Sequence, residues 1–245
     1  YSLQYLGPPY VWAPQLLGDN ISIISPNSAV IASGIVYWMG VDKFYSYDGR
    51  VQTLNCDLRR YIFQDINQEQ AAQVFCGTSE GFNEVWWFYP SSSSNENDSY
   101  VVYNYREGHW NIGTLGRTAG VDRGVYLNPI MVDASGYIYE HEVGFDYDSG
   151  SVYAESGPYE IGVGENIMSV RQVIPDEMTL GEVQISFKSR MYPTSTETSH
   201  GPYPAAQPTD VRFSGRQVKI KYTGAVSDDW RVGVNRFDVV PMGKR

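Results

Sequence analysis

The chain has 245 residues, with 28 acids against 18 lysines and arginines and a formal net charge of −10. That balance excludes a general phosphate-neutralising surface, because sequence-independent nucleic-acid binding needs clustered cations. The length fits one large or two smaller domains. The 20 tyrosines, 9 phenylalanines and 6 tryptophans favour strands, since flat side chains pack well on a pleated surface. Cys56 and Cys76 are the only cysteines; two reduced, partly buried thiols are the expectation, with a disulfide left open. No signal-like or membrane-length apolar run occurs, which points to a cytoplasmic or particle-associated protein. The opening residue Tyr1 and the strand-or-loop text around it read as a piece of a longer chain.

Taken in chain order, the main signal is a repeat: an aromatic-rich strand, a polar turn, a second strand built around Tyr-x-Tyr, then an acid and Gly. The first copy is Gly34 to Gly40 followed by Lys43 to Gly49. The second is Glu84 to Pro90, a Ser- and Asn-rich insertion from Ser91 to Ser99, then Tyr100 to Gly108 closed by Trp110. A weaker third runs from Ile130 to Glu140. Each copy predicts a hairpin. The spacing is irregular but near the roughly 40–50 residues of a propeller blade, so propeller-like repeats are expected over 1–150. Trp38, Trp86, Trp87 and Trp110 are expected to pack between sheets and not to form a ligand platform. Leu58, Tyr61, Ile62 and Ile66 carry helical spacing, which predicts one short helix between repeats. The insertion from Pro90 to Ser99 has few apolar residues and reads as a mobile surface loop.

Over 151–245 the text changes to longer alternating strands, a C-terminal antiparallel β module. Val183, Ile185, Phe187 and Met191 alternate with Gln184, Ser186, Lys188 and Arg190, the signature of a strand with one wet face. The apolar parity switches at Gly215, where a β-bulge is expected, and again between Val234 and Phe237. Pro193 to Pro208, rich in Pro, Ser and Thr, reads as a long arm reaching towards a neighbouring subunit. Charge is uneven too: from Asp133 to Glu182 eleven acids face Arg171 alone, whereas from Thr209 onward eight cations face four acids. Arg212, Arg216, Lys219 and Lys221 are therefore candidate interaction residues, able to meet a neighbour's acids or simply to line the wet face of their own sheet.

Known catalytic patterns are missing. His109, His141 and His200 stand at no metal-ligand spacing, and Glu140 and Glu142 point away from His141 on a strand. Asp146, Asp148 and Ser149 lack the glycine and distal Glu of a calcium-binding EF-hand loop. There is no nucleophile elbow, phosphate-binding loop or dinucleotide fingerprint. The expectation is no catalysis, no metal and no cofactor.

Two segments carry a family resemblance. Gly34 to Leu54, with Ile-Val-Tyr-Trp-Met-Gly-Val-Asp-Lys-Phe-Tyr-Ser-Tyr-Asp-Gly at its centre, resembles a blade of the β-propeller tail proteins of short-tailed bacteriophages, the tail hub, nozzle or packaged-DNA stabilisation proteins. Gly215-Arg216-Gln217-Val218, Asp229 to Gly233, Arg236 to Val239 and the closing Gly243-Lys244-Arg245 are similar to the final strands of such proteins. The resemblance covers about a quarter of the chain. It implies a homo-oligomeric ring, commonly six-fold, below the portal and adaptor, around the exit channel for double-stranded DNA, with fibre or needle proteins outside. It places the protein in the virion tail, assembled in the host cytoplasm, with this chain as a C-terminal portion. The alternative is a carbohydrate-binding or depolymerising β-repeat module of a tail fibre or secreted protein.

Overall fold

Ser33 and Gly34 both take positive φ (49° and 78°) in a two-residue turn, the geometry whose twist matches the strands of a hairpin. It joins β3 (Ala29–Ala32) to β4 (Ile35–Met39). The computed structural model describes residues 1–145, 152–162, 166–176, 178–225 and 229–243. Strand makes up 48% of the described residues and helix 6%, so the all-β expectation holds. By its internal contacts the chain divides into Tyr1–Val143 and Gly144–Arg245.

The first unit opens with β1 (Ser2–Tyr5) and β2 (Trp12–Gln15), which form a two-stranded sheet among the described residues. Then β3, β4, β5 (Phe44–Tyr47) and β6 (Val51–Leu54) form an antiparallel meander in chain order. The expected helix follows as α1 (Arg59–Asp65), continued by a 3₁₀ segment at Gln68–Gln73; Ile62 and Ile66 are its buried anchors. A second meander holds β7 (Phe75–Ser79), β8 (Glu84–Tyr89), β9 (Ser99–Asn104) and β10 (His109–Thr114). A third has only β11 (Ala119–Val121), β12 (Ile130–Val132) and β13 (Ile138–Glu140). All three expected hairpins are present, as β4–β5, β8–β9 and β12–β13.

Strand β8 explains how these sheets stack. Its Glu-Val-Trp-Trp-Phe-Tyr text is apolar on both faces, the pattern of a strand covered from two sides. Val85, Trp87 and Tyr89 join Met39, Phe44 and Ile62 in one cluster with the first meander. Phe88, with Phe75, packs against Met131 of the third. The Trp87 ring centroid lies 5.0 Å from that of Phe44, and its Nε1–H donates to the Ser28 carbonyl oxygen at 3.0 Å. Trp38 and Trp110 donate to the carbonyl oxygens of Ser22 and Asn55, and Trp86 to the Glu84 carboxylate. Trp86, Trp87 and Trp110 pack in the clusters between sheets, as expected, whereas Trp38 stacks on Tyr45 of its own sheet; all four have their polar edges satisfied.

The Ser-rich insertion departs from its reading as a mobile loop. The Ser91 N–H and hydroxyl both donate to the Asp98 carboxylate, at 2.8 and 2.7 Å. The buried Asn97 amide donates to the carbonyl oxygens of Gln73 and Arg117, and Asn67 donates to that of Ser94. Few apolar residues does not mean few anchors: the backbone groups of a polar loop can be satisfied by its own Asx and Ser side chains.

The second unit contains β14 (Tyr153–Glu155), β15 (Tyr159–Glu160), β16 (Ile167–Ile174), β17 (Gln184–Arg190), β18 (Thr198–Pro204), β19 (Thr209–Gly215), β20 (Gln217–Thr223) and β21 (Arg236–Gly243). One sheet runs β14-β20-β17-β18, with β15 also on β20; the other runs β19-β16-β21. Val170 and Val173 of β16, Ile185 and Phe187 of β17, Phe213 of β19 and Val218 of β20 fill the core between them. Three expectations are corrected. The parity switch at Gly215 is no bulge: β19 ends there and β20 begins in the other sheet, so the chain changes sheets and its inward parity resets. A Cβ on Gly215 would lie 3.0 Å from the Ser189 Cβ, which is why a glycine suits the crossing. The register of β19 does shift earlier, where Arg171 stands against both Val211 and Arg212, the latter at φ 42°. Pro193 to Pro208 is no free arm, since its centre is β18, an edge strand whose Tyr203 packs on the core. Met191, placed on the buried face by alternation, lies past the end of β17 and is exposed.

Candidate interaction surface

Lys188 and Arg190 on β17, and Lys219 and Lys221 on β20, share the outer face of their sheet because the inner positions are taken by Ile185, Phe187, Val218 and Ile220. Antiparallel register sets Lys188 directly opposite Lys219, and Lys221 opposite both Ser186 and Glu155. Two like charges face to face repel, and carboxylates relieve them. Lys188 Nζ lies 3.1 Å from Glu155 Oε1, Lys219 Nζ 2.7 Å from Glu197 Oε1, and Arg190 Nη1 3.8 Å from the same Glu197 oxygen. The Lys219 hydrogen bond holds the Glu197 carboxyl below its ordinary range, and the Glu155 bond raises the Lys188 ammonium above its own. Lys221 Nζ sits 3.8 Å above the Tyr153 ring, and the Arg216 guanidinium 5.3 Å from that of Tyr192.

Of the four residues singled out from sequence, the structure gathers Lys219 and Lys221 on one face, sets Arg216 in the turn before β20 against the Tyr192 ring, and leaves Arg212 on the other sheet. Arg212 pairs with Asp210 at 3.1 Å and lines a shallow groove of about 600 Å³ with Arg171, Gln172 and Asp238. Lys219 and Lys221 line the wet face of their own sheet and are engaged within the chain. The face remains cationic, with Lys188, Arg190, Lys219 and Lys221 against Glu155 and Glu197.

A polar network in the first unit escaped sequence reasoning. Arg117 is buried beside the third meander, and its Nε–H donates to His141 Nε2 at 2.9 Å. Its guanidinium lies 4.0 Å from the centre of the Tyr139 ring, and the Tyr139 hydroxyl donates to Asp133 Oδ2 at 3.0 Å. Burial, and secondarily the Arg117 charge, push the His141 imidazole down to about 4. The Arg117 carbonyl oxygen accepts from Asn97, linking the network to the Ser-rich insertion. Sequence held no signal for this group, because Arg117 and His141 lie 24 positions apart.

Both cysteines are free thiols, and burial raises Cys56 to about 11 and Cys76 to about 12. Among the described residues no three His, Cys, Asp or Glu side chains converge as a metal-ligand set; Asp146, Asp148 and Ser149 lie outside the described residues. No described helix is long and apolar enough to cross a membrane. No protein-family model matches the chain, and no curated protein matches it.

Proposed function

We propose that this chain is a structural subunit of the tail of a short-tailed bacteriophage, of the hub or nozzle type, acting as a wall element of a homo-oligomeric DNA conduit and not as an enzyme. The observation that carries the reading is the stacking of three consecutive antiparallel meanders, the middle one covered on both faces through Trp87 on one side and Phe88 on the other. A propeller is built by such repetition, each blade burying a face that it cannot bury alone. The resemblance of Gly34 to Leu54 to a tail-propeller blade falls on β4, β5 and β6 of the first meander. Net negative charge suits a conduit, since phosphates must pass without being gripped. Portal, adaptor and fibre or needle proteins would be its neighbours, and it needs no cofactor.

Negative-stain imaging of the purified protein tests this. Closed rings with a central channel are expected, together with no response on a glycan array. Monodisperse monomers, or saccharide binding that depends on an exposed aromatic side chain, would replace the reading with that of a carbohydrate-binding module.

A further inference from the structure

The first two strands present a contradiction in burial. Residues opposite one another across β1 and β2 share a face: Leu3 stands against Pro14, and Tyr5 against Trp12, whose rings meet edge-on at 5.3 Å. Tyr1 and Leu16 continue that face at its open end. The other face carries Ser2, Gln4, Ala13 and Gln15. In a hairpin resting on its own protein the apolar face should be covered. Here Tyr1, Tyr5 and Trp12 are 83%, 61% and 58% exposed, whereas Ser2 and Ala13 are half-buried. An isolated two-stranded hairpin is marginally stable in water, and among the described residues this one pairs with no third strand.

A second bare face lies in the same unit. In the three-stranded meander Gly120, Met131 and Tyr139 point one way, with Met131 buried. Ala119, Val121, Ile130, Val132 and Ile138 point the other way, with Ile138 73% and Val121 55% exposed, and Glu140 ends that face opposite Ile130 with its carboxylate accepting from the Asn128 amide at 3.0 Å. At roughly 150–250 Å² per fully buried aromatic ring, Tyr1, Tyr5 and Trp12 leave about 400 Å² bare. Adding Leu3, Pro14 and Leu16 brings the hairpin face to roughly 600 Å², against the ~800 Å² per partner of a standard stable interface. Patches of this size mark interaction sites, and both are sheet faces of the kind that pack on one another.

We infer that the apolar face of the β1–β2 hairpin of one copy packs on the outer face of the β11–β13 sheet of a second copy. The contact is head-to-tail: each subunit donates a hairpin and accepts one. Repeated with a closing rotation it generates a ring. The inference deepens the proposed conduit and rests on that reading only for the partner's being another copy.

Light scattering on size-exclusion fractions of the full chain tests it. The wild type should assemble at high micromolar concentration. Trp12→Glu, which lacks a functional donor, and Ile138→Glu, which lacks a functional acceptor, should each be monomeric. The concentration needed for assembly should rise at least about tenfold, because an unpaired carboxylate is not tolerated in an apolar contact. A 1:1 mixture of the two should form a heterodimer and nothing larger, since only one donor and one acceptor remain. Gln4→Glu, on the polar face of the same hairpin, should assemble like the wild type. If Ile138→Glu fails to fold by circular dichroism, Val121→Glu replaces it on the same face.

A monomeric wild type, unchanged assembly of Trp12→Glu, or a mixture that stays monomeric overturns the inference. Rings that persist in Trp12→Glu would leave the conduit standing without this contact. Hairpin-dependent dimers or open filaments without rings would do the reverse.

Discussion

His141 should make the first unit sensitive to acid. Its ordinary value near 6.5 applies in the unfolded chain, and burial holds it near 4 in the fold. Between those values the unfolded chain binds a proton that the folded chain refuses, so stability is fully present above about 6.5 and falls as pH drops towards 4. Each pH unit in that window is worth about 1.4 kcal/mol, which sets a ceiling of roughly 3 kcal/mol. Protonation also removes the acceptor at Nε2 and sets a cation against Arg117. His200, lowered by burial in the other unit, acts in the same direction. Glu84 acts oppositely: burial raises its carboxyl, so the fold takes up that proton first and gains from acidification. A difference measurement separates these contributions. His141→Gln keeps an amide oxygen near the Nε2 position but cannot titrate. Urea unfolding of wild type and variant across the window should show the wild type losing up to about 3 kcal/mol more than the variant between neutral pH and 4. Parallel curves for the two proteins would refute the account and with it the assignment of a neutral imidazole.

Other perturbations follow from packing and charge. Trp87→Ala removes a fully buried indole between two meanders and should destabilise the first unit by about 3–5 kcal/mol in urea melts; a loss under about 1 kcal/mol would mean that the sheets do not share that core. Asp98→Ala strips the acceptor from the Ser91 N–H and hydroxyl and should cost about 1–3 kcal/mol, with faster proteolysis within Ser91 to Ser99; an unchanged cleavage rate would show the insertion to be held by something else. Lys219→Met should return the Glu197 carboxyl towards its ordinary range in an NMR titration, and an unmoved midpoint would dismiss the 2.7 Å pair. Cys56 and Cys76, raised to about 11 and 12, should resist thiol reagents near neutral pH until the protein is unfolded; fast labelling of the native protein would contradict their burial.

Much of the local structure is legible in residue order because strand periodicity and turn chemistry act over a few residues. The alternation of Val183, Ile185 and Phe187 announces β17 and its buried face, and Ser33-Gly34 occupies a turn only two residues long. The double-sided apolar text of β8 states that two neighbours must cover it, without saying which. That Trp87 meets Phe44, and Phe88 meets Phe75 and Met131, was decided by the tertiary structure. The switch at Gly215 shows the limit most clearly. A bulge and a change of sheet both reset parity, and only the pairing partners, β16 for β19 and β17 for β20, tell them apart. The same holds for the candidate surface. Alternation put Lys219 and Lys221 on a wet face, yet their distance from Arg212 depends on which sheet each strand joins. Composition and periodicity by themselves determined an all-β protein with its hairpins, one short helix and the packing of Trp86, Trp87 and Trp110 between sheets. The engagement of Lys219 by Glu197, the Arg117–His141 bond and the uncovered faces of β1–β2 and β11–β13 were decided only in three dimensions, because a contact between residues distant in sequence depends on topology, which local preferences do not encode.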